Sequence, residues 1–388
     1  MKKASSALLA LFFCAAAAGT AGEARFMRYP TVSGDRIVFT YEGDLWSVGA
    51  AGGPAARLTS HPGIEAFAKF SPDGKRLAFT ASYDGPQAVY VMPAEGGEPK
   101  RLTYNPSSAQ VIGWTPDGAK VVYRSMFENV VGRDPNLYFI GLKGTAPERF
   151  PLDRGVLCSF SPDGKRMLYC RRGNEEYYWK RYKGGQYQDI WMYDWATRKA
   201  SPVTDYVGKN SYPMWIGDAM AFVSDRGNGI SNLYTQALGS NEARPLTSYA
   251  DFDVMMPSTD GRSIVYVQDG NIHILDAGSG RDAKVPVTVP SDRWTLRPRT
   301  INPKDYIHAV DVANDGRAVI LEARGDVFAV PTEKGPARNL SNTAGTREMY
   351  PAVSPDGRTV AFFSDRTGDY QLYTQPVGGG EWTALTTG

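Results

Sequence analysis

The sequence predicts an all-β fold of β-propeller blades, six closing a ring and two more opening a second, incomplete propeller. Three observations carry that expectation. A decapeptide recurs, as FSPDGKRLAF at 70–79, WTPDGAKVVY at 114–123, FSPDGKRMLY at 160–169 and VSPDGRTVAF at 353–362. An aliphatic–aromatic pair follows each copy, and a Gly-rich turn with a short Arg-Leu-Thr-like segment follows the pair. The unit returns at an interval of about forty residues, the spacing of four-stranded blades.

The decapeptide supplies the first two strands of each unit. Pro presets φ for a turn, Asp bonds its own backbone, and Gly accepts positive φ. Apolar residues alternate on either side, so each copy reads as a β-hairpin. Weaker copies complete the series at Ser33-Gly34-Asp35, Gly217-Asp218, Thr259-Asp260-Gly261 and Asn314-Asp315-Gly316. The turn aspartates are then Asp35, Asp73, Asp117, Asp163, Asp218, Asp260, Asp315 and Asp356. Three residues ahead of each stands a nonpolar first-strand residue: Val32, Phe70, Trp114, Phe160, Trp215, Pro257, Val312 or Val353.

The third strand is marked by Leu45-Trp46, Val89-Tyr90, Leu137-Tyr138, Ile190-Trp191, Leu233-Tyr234, Ile272-His273, Val327-Phe328 and Leu372-Tyr373. A fourth short strand is clearest at Arg57-Leu58-Thr59, Arg101-Leu102-Thr103, Pro245-Leu246-Thr247 and Asn339-Leu340-Ser341. One such sheet cannot bury both faces alone, but stacked against its neighbours it can.

Spacings between turn aspartates are 38, 44, 46, 55, 42, 55 and 41 residues. The first long interval holds an insertion in unit four, RRGNEEYYWKRYKGGQYQ at 171–188. The second follows a complete unit six and contains the proline-rich KVPVTVPSDRWTLRPRTINPKDY, which reads as a linker. The expected domains are a signal peptide over 1–24, a six-bladed ring over 25–289, a linker over 290–296 and two blades over 297–388. A single eight-bladed ring is the alternative, favoured by the clean finish at Ala384-Leu385-Thr386.

Lys and Arg number 43 against 41 for Asp and Glu, which gives no electrostatic reason to expect nucleic acid. The N-terminus places Lys2 and Lys3 before an apolar run and small residues, the pattern of a cleavable signal peptide. Cleavage after Ala21 or Ala24 fits, and the mature chain is expected in the periplasm with no membrane span. Cys158 and Cys170 flank one hairpin and are read either as a cross-strand disulfide or as two buried thiols.

No nucleophile elbow, zinc-protease helix motif or phosphate loop is present, and the three histidines are scattered. Neither metal nor cofactor is expected. Asp225-Arg226-Gly227-Asn228-Gly229 and Asp365-Arg366-Thr367-Gly368-Asp369 lack alternating calcium ligands and read as polar turns between strands two and three. The unusual feature is the insertion, where Arg171, Arg172, Lys180, Arg181 and Lys183 alternate with Tyr177, Tyr178, Trp179, Tyr182 and Tyr187. Cations fixed among aromatics suit a carboxylate or a peptide end.

The blade text, S-P-D-G followed by an aliphatic–aromatic pair and GG-x-x-x-R-L-T, resembles the TolB-like propeller repeat. Longer stretches narrow it: RYPTVSGDRIVFTYEGDLW, YVMPAEGGEPKRLTYN, VIGWTPDG and WKRYKGGQYQDIWMYD together resemble tricorn-type serine proteases across nearly all of the mature chain. The resemblance implies a six-bladed propeller followed by a seven-bladed one. Beyond these it implies a catalytic region interrupted by a PDZ domain. It implies oligopeptide substrates, propellers acting as channels and size filters, and a homo-oligomer. The family's catalytic residues have no counterparts in this sequence, so none is assigned. An arginine pair that would hold the substrate C-terminus is sought in MFENVVGRDPN, where Arg133 stands alone, and Arg171-Arg172 is the nearby pair. The candidate substrate-binding residues are therefore Arg133, Arg171, Arg172, Lys180, Arg181 and Tyr182. A stand-alone TolB-like propeller gripping a protein or peptide partner is the second reading. A propeller lyase or lactonase with a central metal is the third, and scattered histidines weigh against it.

Overall fold

A computed structural model describes residues 23–129, 134–144, 146–152, 154–173, 179–291 and 300–387. The chain divides into two compact units, Met1–Thr295 and Leu296–Gly388. Among the described residues the first unit holds six four-stranded antiparallel sheets and the second holds two. In every sheet the strands pair in chain order.

The first strands of the six sheets are Arg28–Ser33, Glu65–Phe70, Ala109–Trp114, Leu157–Phe160, Asn210–Ile216 and Met255–Thr259. Each contacts the first strand of the next sheet, and the sixth contacts the first, so the packing runs in a closed cycle. The apolar faces meet between successive sheets. Val38, Leu45, Leu77, Phe79 and Tyr90 fill one such layer, and Met214, Val223, Leu233, Ile264 and Tyr266 fill another.

The recurring decapeptide owes its turn to a hydroxyl and a carboxylate. The Ser71 hydroxyl donates to Asp73 Oδ1 at 2.5 Å, and Asp73 Oδ1 accepts the Lys75 N–H at 3.1 Å. Ser71 Oγ in turn accepts the Arg76 N–H at 3.0 Å. Thr115 with Asp117, Ser161 with Asp163 and Ser354 with Asp356 repeat the arrangement. The hydrogen bond from Ser71 is the main reason the Asp73 carboxyl lies below the usual carboxylate range.

The fourth strands are shorter than the sequence suggests, such as Ala56–Arg57 and Lys100–Arg101. The Leu-Thr that follows replaces ladder bonds with a clamp. Leu102 N donates to Val89 O at 2.8 Å, while Val89 N donates to Thr103 Oγ1 at 2.9 Å. Thr59, Thr204, Thr247, Ser341 and Thr386 accept the same bond from Leu45, Ile190, Leu233, Val327 and Leu372.

Unit six departs from the sequence reading. Its register places Thr259, not Pro257, opposite Ile264. Its hairpin is as short as those of units one and five, but Asp260 precedes the turn glycine where Asp35 and Asp218 follow it, which moves the first-strand frame by two residues. Cys158 pairs with Tyr169 and Leu157 with Cys170, so the two thiols lie on opposite faces of their sheet. Neither forms a disulfide.

After the sixth sheet, Val287–Thr288 pairs in parallel with Gly53–Pro54. On its other side Glu23 bridges Thr288, and Ala24 N donates to Val287 O at 2.8 Å. This latch ties the end of the first unit to its beginning.

In the second unit, Ile320, Val327, Leu340, Val360, Phe362 and Tyr373 pack between the two sheets. The first strand of the seventh sheet, Ile307–Val312, leaves Val310 57% and Val312 52% exposed.

Candidate functional site

Five of the six first strands of the first unit share a further irregularity. Register shifts by a bulge near their starts, at 28–31, 66–69, 111–113, 211–214 and 255–258. In four, the bulge holds a non-glycine residue in the left-handed region: Tyr29 at φ 50, Phe67 at 57, Tyr212 at 53 and Met256 at 53. Such a conformation costs roughly 1–2 kcal/mol per residue. It turns side chains that a regular strand would bury toward a common cavity.

That cavity has a volume of about 440 Å³ and is lined from all six first strands. Tyr29, Phe67, Ile112, Tyr212 and Met256 line it near the strand starts. The Tyr29 and Phe67 rings lie 4.0 Å apart. Next along the strands come the residues opposite Val38, Ala78, Val122, Leu168, Ala221 and Val265. These are Thr31, Lys69, Gly113, Ser159, Met214 and Ser258. The hairpin residues Ser71, Pro116, Ser161 and Asp260 line the far end.

Lys69 is the one lysine or arginine among the lining residues. Its ammonium donates to Ser258 Oγ at 3.0 Å, and Ser258 Oγ donates to Thr31 Oγ1 at 3.4 Å. Trp114 Nε1 donates to the Lys69 carbonyl at 2.9 Å and fixes the backbone that carries it. Trp215 does the same for Ser159 at 3.0 Å. Burial lowers the Lys69 ammonium to about 8. Cys158 also lines the cavity, and burial pushes its thiol up to about 12, which keeps it unreactive.

Sequence reasoning missed Lys69, although a signal existed. In the column four residues before the turn aspartate, units one to five read Thr31, Lys69, Gly113, Ser159 and Met214. A single charge there stands out once the column is known to face a cavity.

The insertion leaves the end of Arg166–Cys170, next to the start of Leu157–Phe160, and so rises on the face where the bulges lie. Its charged groups meet neighbours on this chain. Arg172 Nη1 lies 3.0 Å from Asp134 Oδ2, and Lys180 Nζ lies 3.0 Å from Asp253 Oδ2. The Arg171 guanidinium sits 4.8 Å from the centre of the Trp191 ring. Arg181 is left-handed, at φ 56, and packs on Gly229. Tyr182, 37% exposed, has its ring 5.3 Å from that of Trp179. Arg133, Tyr177 and Tyr178 lie outside the described residues.

Two buried polar clusters stand apart from the cavity. Glu65 is buried beside Asp44, which pairs with Arg57 at 2.5 Å, and Thr59 Oγ1 donates to Glu65 Oε2 at 3.1 Å. Burial pushes the Glu65 carboxyl up to about 8, and the Asp44 charge adds to it. His273 stacks on Tyr266 at 5.4 Å and meets the Tyr249 hydroxyl at 3.2 Å. The Tyr249 hydroxyl also donates to Asp282 at 2.8 Å. The polar turns 225–229 and 365–369 join strands two and three of their sheets, as expected.

Residues 24–281, nearly the whole run of the first six sheets, match the family model described as the tricorn protease N-terminal beta propeller domain. The chain belongs to the tricorn N-terminal β-propeller family. A tricorn protease homolog 1 of Streptomyces coelicolor is 30% identical over 367 residues, covering 91% of this chain and 33% of that protein. A tricorn protease homolog of Saccharolobus solfataricus is 26% identical over 337 residues, covering 86% of this chain and 31% of that protein. The tricorn-family chain thus spans about a third of the length of these relatives. Its fold matches the crystal structure of the tricorn protease with a TM-score of 0.75 at 22% identity. That match covers 94% of this chain and 35% of that one. No helix among the described residues of the tricorn-family chain is long and apolar enough to cross a membrane.

Proposed function

We propose that this chain is the N-terminal propeller portion of an exported tricorn-like serine peptidase. In this reading it acts as channel and scaffold for oligopeptide proteolysis carried out by residues beyond it. The cavity at the centre of the six first strands supports the reading, because it leaves lined space at the middle of the ring, as a channel requires. The first unit supplies the ring, and the two sheets of the second unit begin another propeller. The apolar exposure of Val310, Val312 and Tyr350 supports this, because the corresponding first strands of the ring bury Val32, Ala68 and Val111. Further blades would cover those residues. A homo-oligomer and a peptidase region as covalent partner follow from the same reading.

The insertion is the second peptide-contacting element we propose. Its salt bridges to Asp134 and Asp253 hold it in place, and Trp179 and Tyr182 present aromatic surface beside Lys180 and Arg181. Of the two cleavage sites the sequence offers, after Ala21 or Ala24, the reading takes the first. That cut keeps Glu23 and Ala24 for the latch, whereas a cut after Ala24 removes both.

The intact mass of the protein made and exported by its own cells tests the reading. A mass well above that of this chain is expected. A mass equal to that of the cleaved chain would replace the peptidase reading with a stand-alone propeller that grips a protein or peptide partner. Terminal sequencing of the same sample should begin at Gly22, and a start at Arg25 would overturn the latch argument for the cleavage site.

A further inference from the structure

The cavity of the first unit combines two chemistries at separate depths. Near the strand starts it has an apolar collar of Tyr29, Phe67, Tyr212 and Met256. The collar sits on left-handed bulges that Tyr350 of the eighth sheet also adopts, and in the ring they bring these side chains to the cavity wall. One step deeper it has a single ammonium, Lys69, beside the hydroxyls of Ser258 and Thr31. Among the described residues no carboxylate pairs with Lys69, and Asp260, the other charged lining residue, stands at the hairpin end. A half-buried cation with two hydroxyls and no counter-ion is incomplete without an anion.

We propose that this cavity binds a carboxylate carried on an apolar group, with the carboxylate on Lys69 and Ser258 and the apolar group against the Tyr29–Phe67–Tyr212 collar. The C-terminal end of a peptide with an apolar last residue has this chemistry, and so does a short alkyl carboxylate. A volume of about 440 Å³ suits one such end group and not a folded partner. The inference rests on the channel reading only for the choice of a peptide as probe. Its failure leaves the intact-mass test of that reading untouched.

Calorimetric titration of the full chain tests it with three probes: an N-acetylated tetrapeptide ending in leucine, the same peptide as its C-terminal amide, and hexanoate. The free-acid peptide should bind, and the amide should bind at least about tenfold more weakly, since a charge-assisted bond is lost. Hexanoate binding without peptide binding would support the site and assign it to small carboxylates. Lys69→Met, close in size, should lose about tenfold or more for the acid and little for the amide. Ser258→Ala should give a smaller loss in the same direction. Titration near pH 8 in buffers of different ionisation enthalpy should show proton uptake with the wild-type chain and none with Lys69→Met. Equal binding of acid and amide, unchanged acid binding by Lys69→Met, or no binding of any probe would each overturn the proposal.

Discussion

Replacing Thr103 by Val probes the clamp that recurs at the end of nearly every sheet. Thr103 is 3% exposed, and its hydroxyl oxygen accepts the buried Val89 N–H at 2.9 Å. Val fills nearly the same volume but offers no acceptor, so the Val89 N–H is left unpaired in the core. An orphaned buried donor costs about 1–3 kcal/mol. Thr103→Ser keeps the acceptor and loses one buried methyl, about 0.8 kcal/mol. The clamp therefore predicts the stability order wild type, then Ser, then Val. If the site acted only through apolar packing, Val would be at least as stable as wild type and Ser the weakest. Denaturant midpoints of the three proteins decide between the orders, and faster amide exchange at Val89 in the Val variant localises the effect. A Val variant as stable as the Ser variant would refute the argument. Thr247 should respond more strongly, because its hydroxyl also donates to Asn232 Oδ1 at 2.8 Å.

Three further outcomes are expected. Glu65 holds its proton in the folded chain up to about pH 8, against about 4.5 for an unperturbed glutamate. Its contribution is therefore complete below about pH 4.5 and is lost as pH rises toward 8. Glu65→Gln should flatten that part of the stability–pH curve, and an unchanged slope would count against the assignment. Gly52 has φ +88, and an added Cβ would stand 2.4 Å from the Pro286 carbonyl oxygen. Gly52→Ala should thus loosen the latch and destabilise the first unit by about 2 kcal/mol or more, measured by denaturant unfolding. Joint replacement of Lys180 and Arg181 by Ala should weaken peptide capture by the insertion. Stability should shift by under about 1 kcal/mol, because the Lys180–Asp253 pair is a partly exposed surface bridge. Capture at wild-type strength would leave the insertion as a structural decoration.

Much of the fold was readable because its devices are local. Ser71, Asp73 and Gly74 make a turn among themselves, so four near-identical decapeptides announce four hairpins without any long-range information. The aliphatic–aromatic pairs sit on third strands at the places expected, and Phe79 and Tyr90 pair across strands two and three. What was not readable depends on register or on distant partners. The frame of unit six hinges on where its aspartate sits in the turn, which the pattern Thr259-Asp260-Gly261 disguises. The left-handed bulges fall on Tyr29, Phe67, Tyr212 and Met256, which carry no glycine to mark them. The latch joins residues more than two hundred positions apart through two-residue strands too short to show a period. The insertion was recognised as unusual. Its salt bridges were not, since Asp134 and Asp253 belong to other sheets' connections.

Repetition separates structure from function in this chain. A residue that recurs in one column, such as the clamp threonine, serves the blade, because every blade needs it. A residue that breaks its column has no blade-level reason to be there. Lys69 is such a break: its neighbours in the column are Thr31, Gly113, Ser159, Met214 and Ser258, none of which carries charge. Burying its ammonium works against folding, as its lowered proton affinity records, so the fold alone gives no cause to keep it. The insertion breaks the pattern in the same sense, adding length and charge to one blade of six. Lys69 lines the cavity of the first unit, and the insertion rises on the face where the first strands start. The departures from periodicity, rather than the periodicity, are where the two proposed ligand contacts of this propeller fall.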